Sequence, residues 1–212
     1  YISQVRKPRI LHAFLKWAIT QNRNKNFLFF GGIKLGLYEE MFGGLGGEFL
    51  FRDISKPWYL TANAYWVKQR EFRQRFALRE YETFTGHLNF TWETPIEGFK
   101  VGISAGRYLA KDSGITLNLS KTFKSGFIVG AFATKTDISA EEFGEGSFDK
   151  GFYFTFPFRI FSKGHNKNVN GLSLRTTPRD GGQKLELGNR LIDSFYGSTR
   201  TEIEENWKNY LD

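Results

Sequence analysis

The chain has 212 residues, a formal net charge of +8 and no cysteine, and aromatic residues make up 17% of it, with 23 Phe and 23 Gly against a single Met. The lack of cysteine excludes disulfides, zinc–thiolate sites and thiol nucleophiles. A mean hydropathy of −0.42, with no run of about 18 apolar residues, excludes a helical membrane span but not a barrel, whose strands alternate and keep the average low. Aromatics suit pleated surfaces and Gly suits tight turns, so the composition is that of a β-rich chain. The basic residues are dispersed and carry no nucleic-acid motif, so nucleic acid is not an expected partner. Anionic lipid head groups, acidic polysaccharide or a plain solvated surface each account for the charge.

Residues 1–26 are basic and mixed, and read as a lead-in with a short helix over Ile10 to Ile19. The first residue is Tyr1, so the chain is expected to be a mature or truncated piece of something longer. From Phe27 the period becomes two, the mark of a half-buried strand. Trp58, Leu60, Ala62, Ala64 and Trp66 share one face, and Tyr59, Thr61, Asn63 and Tyr65 the other. Phe84, Leu88, Phe90 and Trp92 likewise oppose Thr85, His87, Asn89 and Thr91. Ile115, Leu117 and Leu119 oppose Thr116, Asn118 and Ser120, and Phe152 to Phe158 alternate with Tyr153, Thr155 and Pro157. About ten strands are expected, near 27–38, 46–52, 58–67, 83–92, 99–108, 114–122, 127–135, 150–158, 171–177 and 184–190. Several approach the roughly nine to eleven residues that a tilted strand needs to cross a bilayer. The barrel domain is placed at 27–190 and a tail at 191–212, with a short helix over Thr199 to Leu211 capped by Thr199 and Glu202.

Alternation alone also fits an aromatic-rich soluble sandwich. The polar faces of the central strands favour a membrane barrel, because they carry Thr, Asn, Ser, Gly, Tyr and His with almost no Lys or Glu, whereas a water-facing exterior is normally charged. Bulky rings near strand ends, Trp58, Trp66, Trp92, Phe27 and Phe158, suit the head-group level. The connections alternate between two ends. Most of one set, 53–57, 93–98, 123–126 and 159–170, are short, while the other, 39–45, 68–82, 109–113, 136–149 and 178–183, holds every unusual string.

Those strings carry a family resemblance. Glu39-Glu40-Met41-Phe42-Gly43-Gly44-Leu45-Gly46-Gly47-Glu48 is similar to a stretch of YjbH-type exopolysaccharide proteins. So are Thr85-Gly86-His87-Leu88 with Trp92-Glu93-Thr94-Pro95, and Ser104 to Asp112 with Gly114-Ile115-Thr116-Leu117. The stretch Ser139 to Gly151, and Arg179-Asp180-Gly181-Gly182-Gln183 with Arg190-Leu191, complete a resemblance covering about residues 36–193. It implies an outer-membrane, lipid-anchored protein of the bacterial envelope, longer than this chain, with further β-structure upstream. The chain ends Asn209-Tyr210-Leu211-Asp212, without the terminal aromatic that often closes such barrels.

No HExxH, Gly-x-Ser-x-Gly or P-loop spacing occurs, and His12, His87 and His165 lie in different segments, so no metal, cofactor or catalytic residue is assigned. Paired carboxylates for glycoside cleavage could come only from Glu141, Glu142, Glu145 and Asp149, which read more simply as an acidic loop, and the chain is expected not to be an enzyme. The expected fold is all-β, an antiparallel transmembrane β-barrel of about ten strands that serves extracellular polysaccharide production or export as conduit or scaffold. The alternative is a plugged assembly barrel that docks partner lipoproteins through its common-end loops. Tyr59, Tyr65, Tyr108 and Tyr153 are expected to stack on sugar rings, Asn63, Asn89 and Asn118 to bond hydroxyls, His87 to line the lumen, and Arg107 and Lys111 to meet acidic sugars. Glu39, Glu40, Glu141, Glu142, Glu145, Asp149, Arg179 and Asp180 are the candidate docking residues. Outer-membrane lipid, polysaccharide, lipoproteins of the same system and upstream strands are the expected partners.

Overall fold

The computed structural model describes residues 12–19, 27–38, 41–53, 55–71, 77–139, 148–157, 169–175, 181–187 and 190–195. The alternating stretches become strands β1 (His12–Ile19), β2 (Phe27–Leu37), β3 (Phe42–Asp53), β4 (Trp58–Arg70) and β5 (Leu78–Glu93). They continue as β6 (Phe99–Arg107), β7 (Ser113–Thr122), β8 (Ile128–Thr136), β9 (Asp149–Pro157) and β10 (Val169–Arg175). All pair antiparallel with their chain neighbours in one sheet, in the order β1 to β10. A single 3-10 turn, Leu191–Phe195, is the only helical element among the described residues. No helix among them is long and apolar enough to cross a membrane, which bears only on helical spans.

Two expected elements differ. The stretch read as a helix within the lead-in is β1, paired from His12↔Gly36 to Ile19↔Phe29, so the sheet starts before Phe27. Alternation across the sheet outweighs the local helical pattern because each strand residue gains cross-strand partners. The stretch 184–190, read as the last strand, joins no ladder among its described residues. The ten strands expected are therefore not the ten of the sheet. Closure is not seen either, since no pairing joins β1 to β10 among the described residues. The helix expected over Thr199 to Leu211 lies outside the described residues.

Register fixes which side chains share a face. Glu48↔Asn63, Asn63↔His87, Asn89↔Ser104, Ser104↔Thr116, Thr116↔Thr134 and Thr134↔Asp149 run across β3 to β9 and place these groups on one surface. Part of that surface is buried, with Tyr65 1% exposed, Tyr108 0% and Thr134 2%, while Tyr59, Asn63, Asn89, Asn118 and Tyr153 on it are half-buried. The opposite surface is apolar and open, with Leu35 57%, Leu88 58% and Phe152 61% exposed, and Trp66, Phe84, Phe90, Trp92, Ile103, Ile115 and Leu117 exposed beside them. The polarity of an ordinary water-soluble sheet is thus reversed, and monomeric soluble proteins rarely expose apolar surface so continuously. A small apolar cluster, Tyr38, Phe42, Tyr65, Val67 and Leu109, sits at one end of the inner surface.

Glycines set how closely the inner groups pack. A Cβ at Gly46 would land on the Tyr65 ring and the Ala64 carbonyl. Overpacking of this kind costs about 1–3 kcal/mol. Gly46→Val is expected to destabilise the fold by about that amount, read as a lowered denaturant midpoint, whereas Leu88→Val on the outer surface shifts it by less than half as much.

Candidate functional site

The inner surface contains charges as well as hydroxyls and amides. Lys34 Nζ lies 3.1 Å from Glu48 Oε2, both buried. Glu93 receives Arg52 at 3.6 Å and Lys100 at 3.6 Å, and the Arg52 guanidinium stands 5.6 Å from the centre of the Tyr59 ring. These charges lie on β2, β3 and at the ends of β5 and β6, outside the central stretches whose polar faces were expected to carry almost no Lys or Glu. Buried ions need partners because desolvation costs several kcal/mol each, and cross-strand register supplies them here.

Further along, the Tyr108 hydroxyl and Thr116 Oγ1 share a 2.6 Å hydrogen bond, and Thr116 and Thr134 one of 2.9 Å. The His87 ring packs edge-on to Tyr108 at 4.6 Å, and Asn63 Oδ1 accepts from the His87 backbone amide at 3.2 Å. Asn89 Nδ2 donates to the Thr61 carbonyl and hydroxyl, and the Tyr153 hydroxyl donates to Asn118 Oδ1 at 3.0 Å. The Tyr65 ring meets Tyr38 edge-on at 5.1 Å. Burial, with Glu48 adding to it, pushes the Tyr38 hydroxyl up to about 12.

Across this surface lies a strap of the chain's own residues, described at 181–187 and 190–193. Gly181 and Gly182 both adopt positive φ, 114° and 68°, which only glycine does readily. That conformation brings the Gly182 amide to Asp112 Oδ2 at 2.7 Å, and the Gln183 carbonyl accepts from the Leu109 amide at 3.0 Å. Lys184 Nζ donates to Ser104 Oγ at 2.7 Å. Leu185 and Leu187 pack on the Tyr38–Val67 cluster. The Leu191 amide donates to Glu48 Oε2 at 2.5 Å, and Arg190 closes on Asp193 at 3.0 Å. Glu48 therefore serves both Lys34 and the strap.

Of the residues expected to line the interior, Tyr59, Asn63, Tyr65, His87, Asn89, Asn118 and Tyr153 share the inner surface, with Tyr108 at its rim. Arg107 does not. It pairs with Gly86 and Ser113, is exposed, and shares the parity of Ile103 and Ala105 on the outer surface. Lys111 sits exposed in the β6–β7 turn at φ 71°, its Nζ 5.1 Å from the centre of the Tyr81 ring. The strand was expected to run to residue 108, but β6 ends at Arg107 and Tyr108 turns inward after it. Asp149 is buried on the inner surface rather than in an exposed acidic loop. Glu39, Glu40, Glu141, Glu142, Glu145, Arg179 and Asp180 lie outside the described residues.

Sequence reasoning passed over Lys34, Glu48, Ser104, Lys184 and Leu191. Lys34 and Glu48 fall among glycines, where alternation is faint, and Lys184 lies in a stretch whose periodicity imitates a strand. No group of three or more His, Asp or Glu among the described residues is placed to hold a metal ion.

The class is an all-β antiparallel meander with one apolar exposed surface and one polar surface crossed by a strap of the same chain. The YjbH family model, described as exopolysaccharide biosynthesis protein YbjH, matches residues 5–196, and the chain belongs to that family. It is 40% identical over 170 residues to the Escherichia coli (strain K12) protein named "Uncharacterized lipoprotein YjbH", an alignment covering 78% of this chain and 24% of that protein. The chain thus spans about a quarter of the length of that relative. No solved structure matches it.

Removing one partner of a buried ion pair costs about 3–5 kcal/mol. Glu48→Ala is expected to lower stability by about that amount and to speed hydrogen exchange at the Leu191 amide, because the strap loses its acceptor. Burial, and to a smaller extent Arg190, lowers the Lys184 ammonium from its ordinary 10.5 to about 8. Between these values the unfolded chain binds the extra proton, so stability contributed here rises as pH increases from 8 to 10.5. The melting temperature is expected to show this rise, and Lys184→Met to remove it.

Proposed function

We propose that this chain forms the lipid-facing wall of a bacterial outer-membrane β-barrel that serves exopolysaccharide production as a filled scaffold, with its interior occupied by the strap of residues 181–187 and 190–193. The reversed polarity of the sheet carries this reading. Exposed Leu, Ile, Phe and Trp on one surface and paired polar groups on the other is what a bilayer demands of a strand wall. From Trp58 to Trp66 the outer surface of β4 runs roughly 27 Å at about 3.4 Å per residue, or about 20 Å once tilted, near the apolar band of known barrels. The β1 and β10 edges would be closed by each other or by strands elsewhere in the protein, since exposed edges invite pairing.

Filling favours scaffold over conduit. A water-filled bore leaves its lining accessible, whereas Tyr65, Thr85, Tyr108 and Thr134 are almost fully buried. The named lipoprotein relative fits an envelope location. The connections β2–β3, β4–β5, β6–β7 and β8–β9 share one end of the sheet, and the stretches of sequence that hold Glu39, Glu40, Glu141, Glu142 and Glu145 there, with Arg179 and Asp180 after β10, would supply the surface on which lipoproteins of the same system dock. The protein acts without catalysis: replacing Glu141, Glu142, Glu145 and Asp149 with their amides would leave polymer length unchanged. The conduit reading is supported by one observation, the hydroxyl, amide and aromatic chemistry of Tyr59, Asn63, Asn89, Asn118 and Tyr153, which would meet sugar only if the strap moved aside.

The full-length protein is expected to require detergent for extraction, to migrate as a heat-modifiable band, and to give no steady conductance in planar bilayers. Deleting Ile138–Phe148 should abolish co-purification with a stoichiometric lipoprotein while leaving the heat-modifiable band intact. A protein that stays dispersed without detergent contradicts the barrel; an open pore from the intact protein contradicts the filled interior.

A further inference from the structure

We infer that the inner surface around Gly102 is a recess for one acidic sugar unit, a pyranose ring carrying a carboxylate, which enters from the end holding the short connections. This deepens the barrel reading above and rests on it, because a closed wall is what makes the inner surface concave. A glycine on this surface leaves room for a ring. A Cβ at Gly46 would land on the Tyr65 ring, and one at Gly130 on the Tyr153 ring, so the chain fills both places itself. Gly102 pairs with Thr91 and Asn118 and shares their inward parity, yet no ring lies over it. A Cβ built there meets Asn118 Cβ at 3.6 Å and nothing nearer, and then only backbone oxygens, at 3.8 and 3.9 Å.

Gly102 stands between two ammonium groups. Lys100 precedes it on the same face of β6, paired with Glu93 and Ser120. Ser104 follows it on that face and accepts from Lys184 Nζ of the strap at 2.7 Å. The recess therefore borders the strap on one side and the short connections on the other, a blind pocket rather than a passage. Thr91 and Ser120, both half-buried, bring hydroxyls to its sides from β5 and β7.

The charges around the recess leave positive charge in excess. Glu93 faces both Arg52 and Lys100, each at 3.6 Å, so one carboxylate stands against two cations. Arg52 and Glu93 form the buried pair, whereas the Lys100 side chain is 25% exposed and is the cation that a ligand can reach. The charge that acts on Lys184 is another cation, Arg190. Neighbouring carboxylates are engaged elsewhere. Asp53 accepts from the Ser55 amide at 2.9 Å, Glu97 faces Lys124 at 3.4 Å, and Asp193 holds Arg190. A ligand carboxylate supplies the missing negative charge, with charge-assisted hydrogen bonds stronger than neutral ones. The ring hydroxyls of the same ligand suit Thr91 and Ser120, which can both donate and accept.

The test titrates the full-length protein in neutral detergent micelles with trigalacturonate, with neutral maltotriose and with sodium acetate, read by calorimetry. Trigalacturonate is expected to bind more tightly than maltotriose by about tenfold or more, and acetate at equal concentration not to compete. A hydrogen bond to a charged group contributes about tenfold to a hundredfold in affinity. K100Q is expected to weaken trigalacturonate binding by about that factor and to keep its heat-modifiable band, since Glu93 retains Arg52. Gly102→Val places a side chain in the empty space and should weaken binding by about tenfold or more with the band unchanged. K124Q, which removes the same charge from an exposed turn at that end, should change binding less than about threefold. No binding of trigalacturonate, equal affinity for maltotriose, unchanged binding in K100Q or in Gly102→Val, or an equal loss in K124Q would overturn the inference while leaving the barrel intact. A protein that needs no detergent would remove the barrel reading itself.

Discussion

The structure depends on one constraint: each strand from β2 to β9 satisfies its backbone through a neighbour on either side, so its side chains alone decide which surroundings each face tolerates. Antiparallel pairing from β1 to β10 supplies the ladder. Alternation then sends Leu, Ile, Phe and Trp to one side and Thr, Asn, Tyr, Lys and Glu to the other. In water this arrangement is costly, because apolar surface stays wet while charges are buried. Against hydrocarbon the same arrangement becomes favourable, and the polar groups gain one another as partners.

The internal strap follows from the same constraint. A polar interior without occupants would leave buried donors and acceptors unmet. Glu48, Ser104 and Asp112 instead bond Leu191, Lys184 and Gly182. The strap contributes apolar contacts too, through Leu185 and Leu187 on the cluster around Tyr65 and Val67. Two strings of the family pattern, Lys111-Asp112 and Gly181-Gly182, thereby meet in space although far apart in sequence, which gives their shared presence a structural meaning. The two positive-φ glycines are the positions at which a side chain would most directly prevent that meeting.

Much of the wall was legible in the residues. Period-two alternation located β2 to β10 and the side on which Tyr59, Asn63, His87 and Tyr153 stand, because register carries parity from strand to strand. Arg107 was misplaced although alternation along β6 already sets it with Ile103 and Ala105, opposite Ser104 and Tyr108: it was grouped with its neighbour Tyr108 for its charge rather than by its parity. The stretch 184–190 imitated a strand because an extended strap bearing Leu185 and Leu187 has the same pattern; only the lack of a pairing partner distinguishes them. Residues 12–19 failed in the opposite sense, since a short apolar run next to basic residues is ambiguous until its partner strand is known. The ion pairs Lys34–Glu48 and Arg52–Glu93 depend on cross-strand register, which is tertiary information.

Contact of the apolar surface with hydrocarbon can be measured directly, because the chain has no native cysteine to interfere. Single cysteines at Phe84, Thr85, His87, Leu88, Asn89, Phe90 and Trp92 of the membrane-reconstituted protein would each receive a nitroxide label, and collision with oxygen and with a water-soluble nickel complex would be compared. Our account predicts oxygen accessibility that peaks at Phe84, Leu88, Phe90 and Trp92 and falls at Thr85, His87 and Asn89. Nickel-complex accessibility as high at Leu88 and Phe90 as at an exposed turn would contradict it.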